Sequence, residues 1–336
     1  MIFDPKQEVI VLDSRPMKEY QVMNIPGGIN VPGVELCYRI SDLPITTDTT
    51  VVVNCAGRTR SIIGTQSLIN MGIQNKVVAL ENGTMGWRLA GKKLEFGGSL
   101  EFPKISNNGR MLAKNRALSM IKKFKITLVD AISACEMMGD LDRTTYLFDV
   151  RDPFEFEEGH IPGSMPAPGG QLVQATDQYV GVNGSRLILV DDDDIRAVMT
   201  ASWLKQMGWL DVFVLEGGVC SAGKLKIGPF MPRVLGGDVE KINFIDPIEC
   251  ECLLETTDNK VIDLASSPVY QNEGHIPGAF FAIRAKLTDS LSKIGPVKTI
   301  ILTSPDGRLA EMAANDPVFK NMNVKVLKGG NAAWIA

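Results

Sequence analysis

The chain has 336 residues, 45% apolar and 22% charged, with 32 Gly and 18 Pro spread along it, which excludes disordered, collagen-like and low-complexity proteins and leaves room for three small domains. Its 35 Lys and Arg against 39 Asp and Glu give a net charge of −4, so no basic field exists for nucleic acid or an anionic membrane, and a small-molecule or protein partner is expected. Met1-Ile2-Phe3-Asp4-Pro5 is not an export signal, no apolar window reaches membrane-spanning length, and six Cys without repeated spacing make no disulfide framework; a cytoplasmic protein with reduced thiols is expected.

In chain order, the β-branched run Val9-Ile10-Val11-Leu12-Asp13 predicts a buried strand and Asn24-Ile25-Pro26-Gly27 a turn. Val51-Val52-Val53 predicts a second strand, which runs through the loop Cys55-Ala56-Gly57-Arg58-Thr59-Arg60-Ser61 into a helix closing on Met71-Gly72, where Gly supplies the left-handed cap. A third apolar run ends in Leu80-Glu81-Asn82-Gly83. Residues 92–126 then connect: Gly97-Gly98 through Asn107-Asn108-Gly109 reads as loop, and Arg110 to Phe124 as a helix with Ala113, Ala117, Met120, Ile121 and Phe124 on one face and solvated Lys and Arg opposite.

The same series then recurs twice. The second copy has Tyr146-Leu147-Phe148-Asp149, His160-Ile161-Pro162-Gly163, Leu187-Ile188-Leu189-Val190, a loop beginning Asp191-Asp192-Asp193-Asp194, a helix closing on Met207-Gly208, and Leu215-Glu216-Gly217-Gly218. A Gly- and Pro-containing stretch, about 221–245, leads to Ile245-Asp246-Pro247, where a new first helix is expected. The third copy has Val261-Ile262-Asp263, His275-Ile276-Pro277-Gly278, Thr299-Ile300-Ile301-Leu302, a loop beginning Ser304-Pro305-Asp306-Gly307, and Leu327-Lys328-Gly329-Gly330. Its helix carries Pro317 and is expected to be the least regular, closing on Met322-Asn323 with Asn in the left-handed position. The three Asp stand 136 and 114 residues apart.

Short apolar runs alternating with helices define an α/β protein of three tandem domains, each a parallel sheet flanked by helices. The expected boundaries are 1–92, a connector with an amphipathic helix at 93–125, a second domain at 126–225, a linker at 226–245 and a third domain at 246–336. The third reads as C-terminally truncated, and too few residues precede Asp13 for the helix that precedes Asp149 and Asp263; both features suggest part of a longer tandem array.

A thiol at the carboxyl end of a parallel strand, opening a helix, sits where α/β sheets place ligands and where amides and the helix dipole favour anions. With Arg58 and Arg60 nearby, the thiolate of Cys55 is favoured, making it a candidate nucleophile. His160 and His275 lie in copies that lack the Cys, so a Cys–His dyad within one domain is excluded and both read as turn residues. Cys250 and Cys252 are one pair on or beside a domain-opening helix, too few ligands for a metal, and no cofactor is expected. Cys37, Cys135 and Cys220 read as packing residues, Asp13, Asp149 and Asp263 with Arg15 and Arg151 as structural partners, and Glu81, Asn82 and Trp87 as walls of the pocket.

The pattern Asp-x-Arg, Ile-Pro-Gly, Cys-x4-Arg-Ser and Leu-x-x-Gly-x-x-x-Trp resembles the rhodanese family of thiosulfate sulfurtransferases, bacterial tandem proteins among them, three times over the chain. The resemblance implies that Cys55 carries sulfane sulfur as a persulfide, taken from thiosulfate or a similar donor and passed to cyanide or a thiol acceptor. It implies that Ala56, Gly57, Arg58, Thr59, Arg60 and Ser61 bind the donor, with no metal, nucleic acid or membrane partner and no stated oligomeric state. The four residues between Cys55 and Arg60 suit sulfur; related phosphatases have a loop one residue longer. Asp191–Asp194 would repel an anionic donor, and Ser304 cannot form a persulfide, so activity is not extended to the second and third copies. A non-catalytic scaffold, a redox or sulfur sensor, and a phosphatase or arsenate reductase are the alternatives.

Overall fold

Three separate parallel sheets account for the three sequence copies, in a computed structural model that describes residues 8–232 and 241–336. The first seven residues and 233–240, which fall in the expected first domain and linker, lie outside the described residues. The first sheet holds β1 (Val9–Asp13), β2 (Ile29–Asn30), β3 (Thr50–Asn54) and β4 (Val77–Ala79) in the order β2-β1-β3-β4. The second holds β5 (Thr127–Val129), β6 (Thr145–Asp149), β7 (Met165–Pro166), β8 (Arg186–Val190) and β9 (Val212–Leu215), ordered β5-β9-β8-β6-β7. The third holds β10 (Phe244–Ile245), β11 (Asn259–Asp263), β12 (Phe280–Phe281), β13 (Thr299–Thr303) and β14 (Val324–Leu327), ordered β10-β14-β13-β11-β12.

The central pairs keep one register: Asp13 opposite Asn54, Asp149 opposite Val190, Asp263 opposite Thr303. Each Asp therefore ends its strand opposite the residue that immediately precedes the next loop. Both faces of β3, β8 and β13 are covered, which explains why their sequences are apolar without alternation.

Residues 1–230 form one compact unit and 231–336 another. Within the first unit, copies one and two share a core: Leu36, Leu68 and Met71 join Leu172, Val198, Ala201 and Leu204, with Ala113, Ala117 and Met120 of the connecting helix packed among them. Two contacts mark a pseudo-twofold relation between these copies. The Trp203 indole donates to the Ser67 hydroxyl at 2.7 Å, and those positions are equivalents 136 residues apart. Gly33 lies against Gly170 so closely that a Cβ on either would sit 2.7 Å from the other's Cα.

The connecting helix runs Asn107–Phe124, starting earlier than Arg110, because the Ser106 hydroxyl caps it by accepting from the Gly109 amide. The helices Thr59–Asn70 and Ile195–Gln206 end as expected, with Gly72 and Gly208 at positive φ. The third does not: it stops at Ala314, a short turn at Pro317–Phe319 follows, and Asn323 is not left-handed but donates its amide to Thr299. Helix Pro247–Leu254, capped by Asp246, carries Cys250 and Cys252. Cys37 is buried, but Cys135 and Cys220 are exposed, which corrects their reading as packing residues: both lie on outer faces of short elements. Each His bonds its Nδ1 to a carbonyl and stacks on the preceding aromatic, His160 on Phe156 and His275 on Tyr270, consistent with a turn role. No helix among the described residues is long and apolar enough to cross a membrane.

Candidate active site

Cys55 follows β3 directly, is 2% exposed and opens a loop in which three carbonyls are bonded to the flanking helices. The Cys55 carbonyl accepts from the Thr84 amide at 2.8 Å and that of Ala56 from the Met85 amide at 3.0 Å. The Arg58 carbonyl accepts from the Ile62 amide and from the Ser61 hydroxyl, at 3.1 and 2.9 Å. Peptide planarity then turns the amides of Ala56, Gly57 and Thr59 away from those donors. Among the described residues, the N–H groups of Ala56, Gly57 and Arg58 take no hydrogen-bond partner, which leaves donors available at a helix N-terminus.

Gly83 is what lets the helix Gly83–Leu89 approach this loop. It has φ +54, and a Cβ there would stand 2.2 Å from the Cys55 carbonyl oxygen. The Leu-x-x-Gly motif is thus the back wall of the loop rather than a turn alone. Gly218 and Gly330 play the same part, with would-be Cβ atoms 2.2 and 2.0 Å from the carbonyls of Asp191 and Ser304.

Below the loop, Asn54 donates its amide to Asp13 and to the Thr84 hydroxyl, both at 2.9 Å. Asp13 also grips Arg15 with both carboxylate oxygens, at 2.8 and 2.7 Å, and Arg15 reaches the Met23 carbonyl. The Asp–Arg pair is therefore a buried brace, as expected. Ser61 lies 3.4 Å from the Cys55 sulfur, and because its own proton goes to Arg58, its oxygen accepts from the thiol.

The two arginines differ. Arg60 is half-buried and bonded through both terminal nitrogens to Glu19, at 2.6 and 2.7 Å, which holds the Glu19 carboxyl below its ordinary range. Arg58 is exposed and forms no ion pair among the described residues. Thr59 opens the helix as an exposed residue. Trp87 does not wall the pocket: it packs behind the sheet with Val11, Ile25 and Val52, and its indole donates to the Lys93 carbonyl. Glu81 and Asn82 are exposed beside Gly83.

In copy two the equivalent loop is filled. Asp191 is buried and caps the following helix by accepting from the Arg196 amide at 2.8 Å; burial pushes its carboxyl up to about 7. Arg196, the equivalent of Arg60, is wholly buried between Glu155, the equivalent of Glu19, and Asp192. Copy one closes the top: Glu35 meets Arg196 at 2.7 Å and the Tyr38 hydroxyl donates to Asp193 at 2.7 Å. In copy three Ser304 is fully buried, and Arg308 is paired with Asp306 at 2.9 Å. An open depression of about 490 Å³ lined by Val173, Asp177 and Trp209 includes no residue of the loops that open at Cys55, Asp191 and Ser304.

Glu19, Asn54 and Thr84 were not legible as site residues by motif. One signal was available for Glu19: a Glu and an Arg recur together at the same 136-residue offset, as Glu19 with Arg60 and Glu155 with Arg196.

These braced loops on parallel sheets define a rhodanese-type architecture, and the rhodanese-like domain model matches residues 2–90, 132–221 and 246–336. The chain belongs to the rhodanese-like family. It is similar over 98% of its length to the crystal structure of a thiosulfate sulfurtransferase from Pseudomonas aeruginosa, with 44% identity and a TM-score of 0.87, and covers 62% of that chain. An HTH-type transcriptional regulator of Mycobacterium tuberculosis is 37% identical over 90 residues, 27% of this chain and 39% of the regulator. A tRNA uridine(34) hydroxylase of Escherichia coli is 28% identical over 93 residues, 26% of this chain and 27% of the hydroxylase.

Proposed function

We propose that the protein is a sulfurtransferase that moves sulfane sulfur from thiosulfate, or a similar donor, through a persulfide on Cys55 to cyanide or a thiol acceptor. Cys55 at the head of a row of loop amides without protein partners carries this reading, because the equivalent positions hold Asp191 in a sealed ion cluster and Ser304, a hydroxyl that cannot carry a persulfide. The similarity to a thiosulfate sulfurtransferase supports it. One catalytic domain, 1–92, then stands beside two without a nucleophile, 126–225 and 246–336.

In the first half-reaction the Cys55 thiolate attacks the outer sulfur of thiosulfate. A new S–S bond forms, the bond to the sulfonate sulfur breaks, and sulfite leaves with that electron pair. The anion is held by the amides of Ala56, Gly57 and Arg58 and by the side chain of Arg58; Arg60, committed to Glu19, shapes the loop rather than gripping the donor. Ser61 turns its hydroxyl from the Arg58 carbonyl to the sulfur once the thiol proton has left, so the loop stabilises the anionic sulfur without a general acid. In the second half-reaction cyanide or a thiolate attacks the outer persulfide sulfur and regenerates the Cys55 thiolate.

Incubation with thiosulfate should add the mass of one sulfur atom to Cys55. The Cys55→Ser protein should neither gain it nor form thiocyanate from cyanide. Full activity in that variant sinks the assignment. No persulfide from thiosulfate, mercaptopyruvate or polysulfide would instead favour a non-catalytic scaffold.

A further inference from the structure

The pseudo-twofold relation between copies one and two matches their contacts in pairs. The 136-residue offset carries Gly33 onto Gly169 and Val34 onto Gly170. Both crossed contacts are present: a Cβ on Gly170 would sit 2.7 Å from the Gly33 Cα, and one on Gly169 would sit 3.0 Å from a Val34 methyl. Ser67 and Trp203, which carry onto each other, meet on the axis. Leu36 and Leu172, also equivalents, are both buried in the shared core.

Through this axis each copy lays a short helix against the loop helix of the other. The helix Glu35–Arg39 lies on Ile195–Gln206, and its equivalent Gly169–Gln174 lies on Thr59–Asn70, the helix that the Cys55 loop opens. From the first of these, Glu35 reaches Arg196 and Tyr38 reaches Asp193, both at 2.7 Å, and the copy-two loop is closed. The axis carries those two pairs onto Gln171 with Arg60 and onto Gln174 with Gly57. Gly57 supplies one of the loop amides that take no partner among the described residues.

The chemistry at the two mouths differs. Copy two is closed by a carboxylate and a phenol, each bonded to the protein. Copy one has two carboxamides in their place; Gln171 is half-buried, Gln174 is exposed, and neither side chain is bonded among the described residues. Arg39, which shares Glu35, has Ala175 as its counterpart, so no cation of that helix turns Gln171 aside. A carboxamide brings N–H donors without the negative charge that would repel an anionic donor.

We infer that Gln171 and Gln174, from the copy without a nucleophile, complete the donor site of Cys55 by donating to the sulfonate oxygens of thiosulfate and of the departing sulfite. The inference rests on the sulfurtransferase reading and adds what holds the side of the donor turned away from the loop. The loop amides and Arg58 hold one side of the anion, and the two carboxamides hold the other. A sulfonate has oxygens for both sides, whereas a polysulfide offers only sulfur, a weak acceptor. The two glutamines therefore select thiosulfate over polysulfide.

The test uses Gln171→Leu and Gln174→Leu in the full chain. Each should lower kcat/KM for thiosulfate about tenfold, the worth of one bond to a charged group. Persulfide formation from polysulfide, and kcat/KM for cyanide in the second half-reaction, should stay within about twofold, because neither step involves a sulfonate. Damage to the fold would lower all three together. Gln171→Glu, which copies Glu35, should slow alkylation of Cys55 by iodoacetate several-fold relative to iodoacetamide, a ratio that needs no turnover. Failure of the unaltered chain to form a persulfide with any donor overturns the sulfurtransferase reading, and the donor-site inference with it. With persulfide formed, an unchanged kcat/KM for thiosulfate, an equal loss with polysulfide, or an unchanged alkylation ratio overturns the role of the two glutamines alone.

Discussion

Arg196 is the place where the filled loop of copy two meets copy one, and removing it tests whether that loop serves as a clasp. Its guanidinium is 0% exposed and bonded to Glu35 at 2.7 Å, to Glu155 at 2.7 and 3.1 Å and to Asp192 at 3.1 Å, with the Tyr38 ring centroid 4.7 Å away. Glu35 has one other partner, Arg39 at 2.9 Å. Arg196→Met leaves Asp191 buried without its cation and Glu35 with Arg39 alone, and breaking a buried cluster in this way costs about 3–5 kcal/mol. Glu35→Leu leaves Arg196 with Glu155 and Asp192, so its cost is smaller, about 2–3 kcal/mol. The double variant removes both ends of the interdomain pair and recovers about 1–2 kcal/mol relative to the sum of the singles. Urea titration followed by tryptophan fluorescence reads the transition, since Trp203 bonds Ser67 across the same interface. A loss under about 1 kcal/mol in Arg196→Met, or no coupling in the double variant, refutes the clasp.

Two further expectations concern charge. Arg58→Ala should raise KM for thiosulfate about tenfold, the worth of one charge-assisted bond, while Arg60→Ala, which orphans Glu19, should lower the melting temperature more than it raises KM; steady-state kinetics and thermal melts separate the two. Asp191 has a folded pKa raised to about 7 against an ordinary 3.8, so the stability it contributes is complete below about pH 4 and lost as pH rises toward 7. Asp191→Asn should therefore flatten the fall in stability across pH 4–7, by up to about one proton of slope, and an unchanged slope in denaturation at several pH values would exclude Asp191 as its source.

The strands and the three loops could be read from the chain because buried parallel strands are apolar runs and the loops fall at fixed offsets from an Asp. The boundaries that failed depended on contacts far away in sequence. Asn323 looked like a cap, yet Pro317 had already ended that helix. Trp87 occupies a motif position near the loop, but the alternation along β3 sends Val52 to the face where Trp87 packs and Val53 to the other. Nothing local distinguishes Arg58 from Arg60; only the fold places Glu19 against one of them.

A pair beneath each loop shows why the copies diverged as they did. In copy one Asn54 and Thr84 bond each other and hold Asp13, and in copy three the same two residue types are exchanged: Thr303 donates to Asn331, whose amide holds Asp263 at 2.7 Å. Copy two has Val190 and Val219 there, both in its apolar core. An amide that orients the strand-end Asp keeps the loop tied to the sheet by polar bonds, whether or not a thiol stands above it. Where that tie is replaced by two valines, order comes instead from Arg151, bonded to Asp149 and Asp192, and from the Arg196 cluster that copy one closes. The Asp run is then not a damaged anion site: Asp191 and Asp192 face two buried arginines, Asp193 takes the Tyr38 hydroxyl and Asp194 the Gly217 amide, and a Cys placed at 191 would find the cradle already occupied.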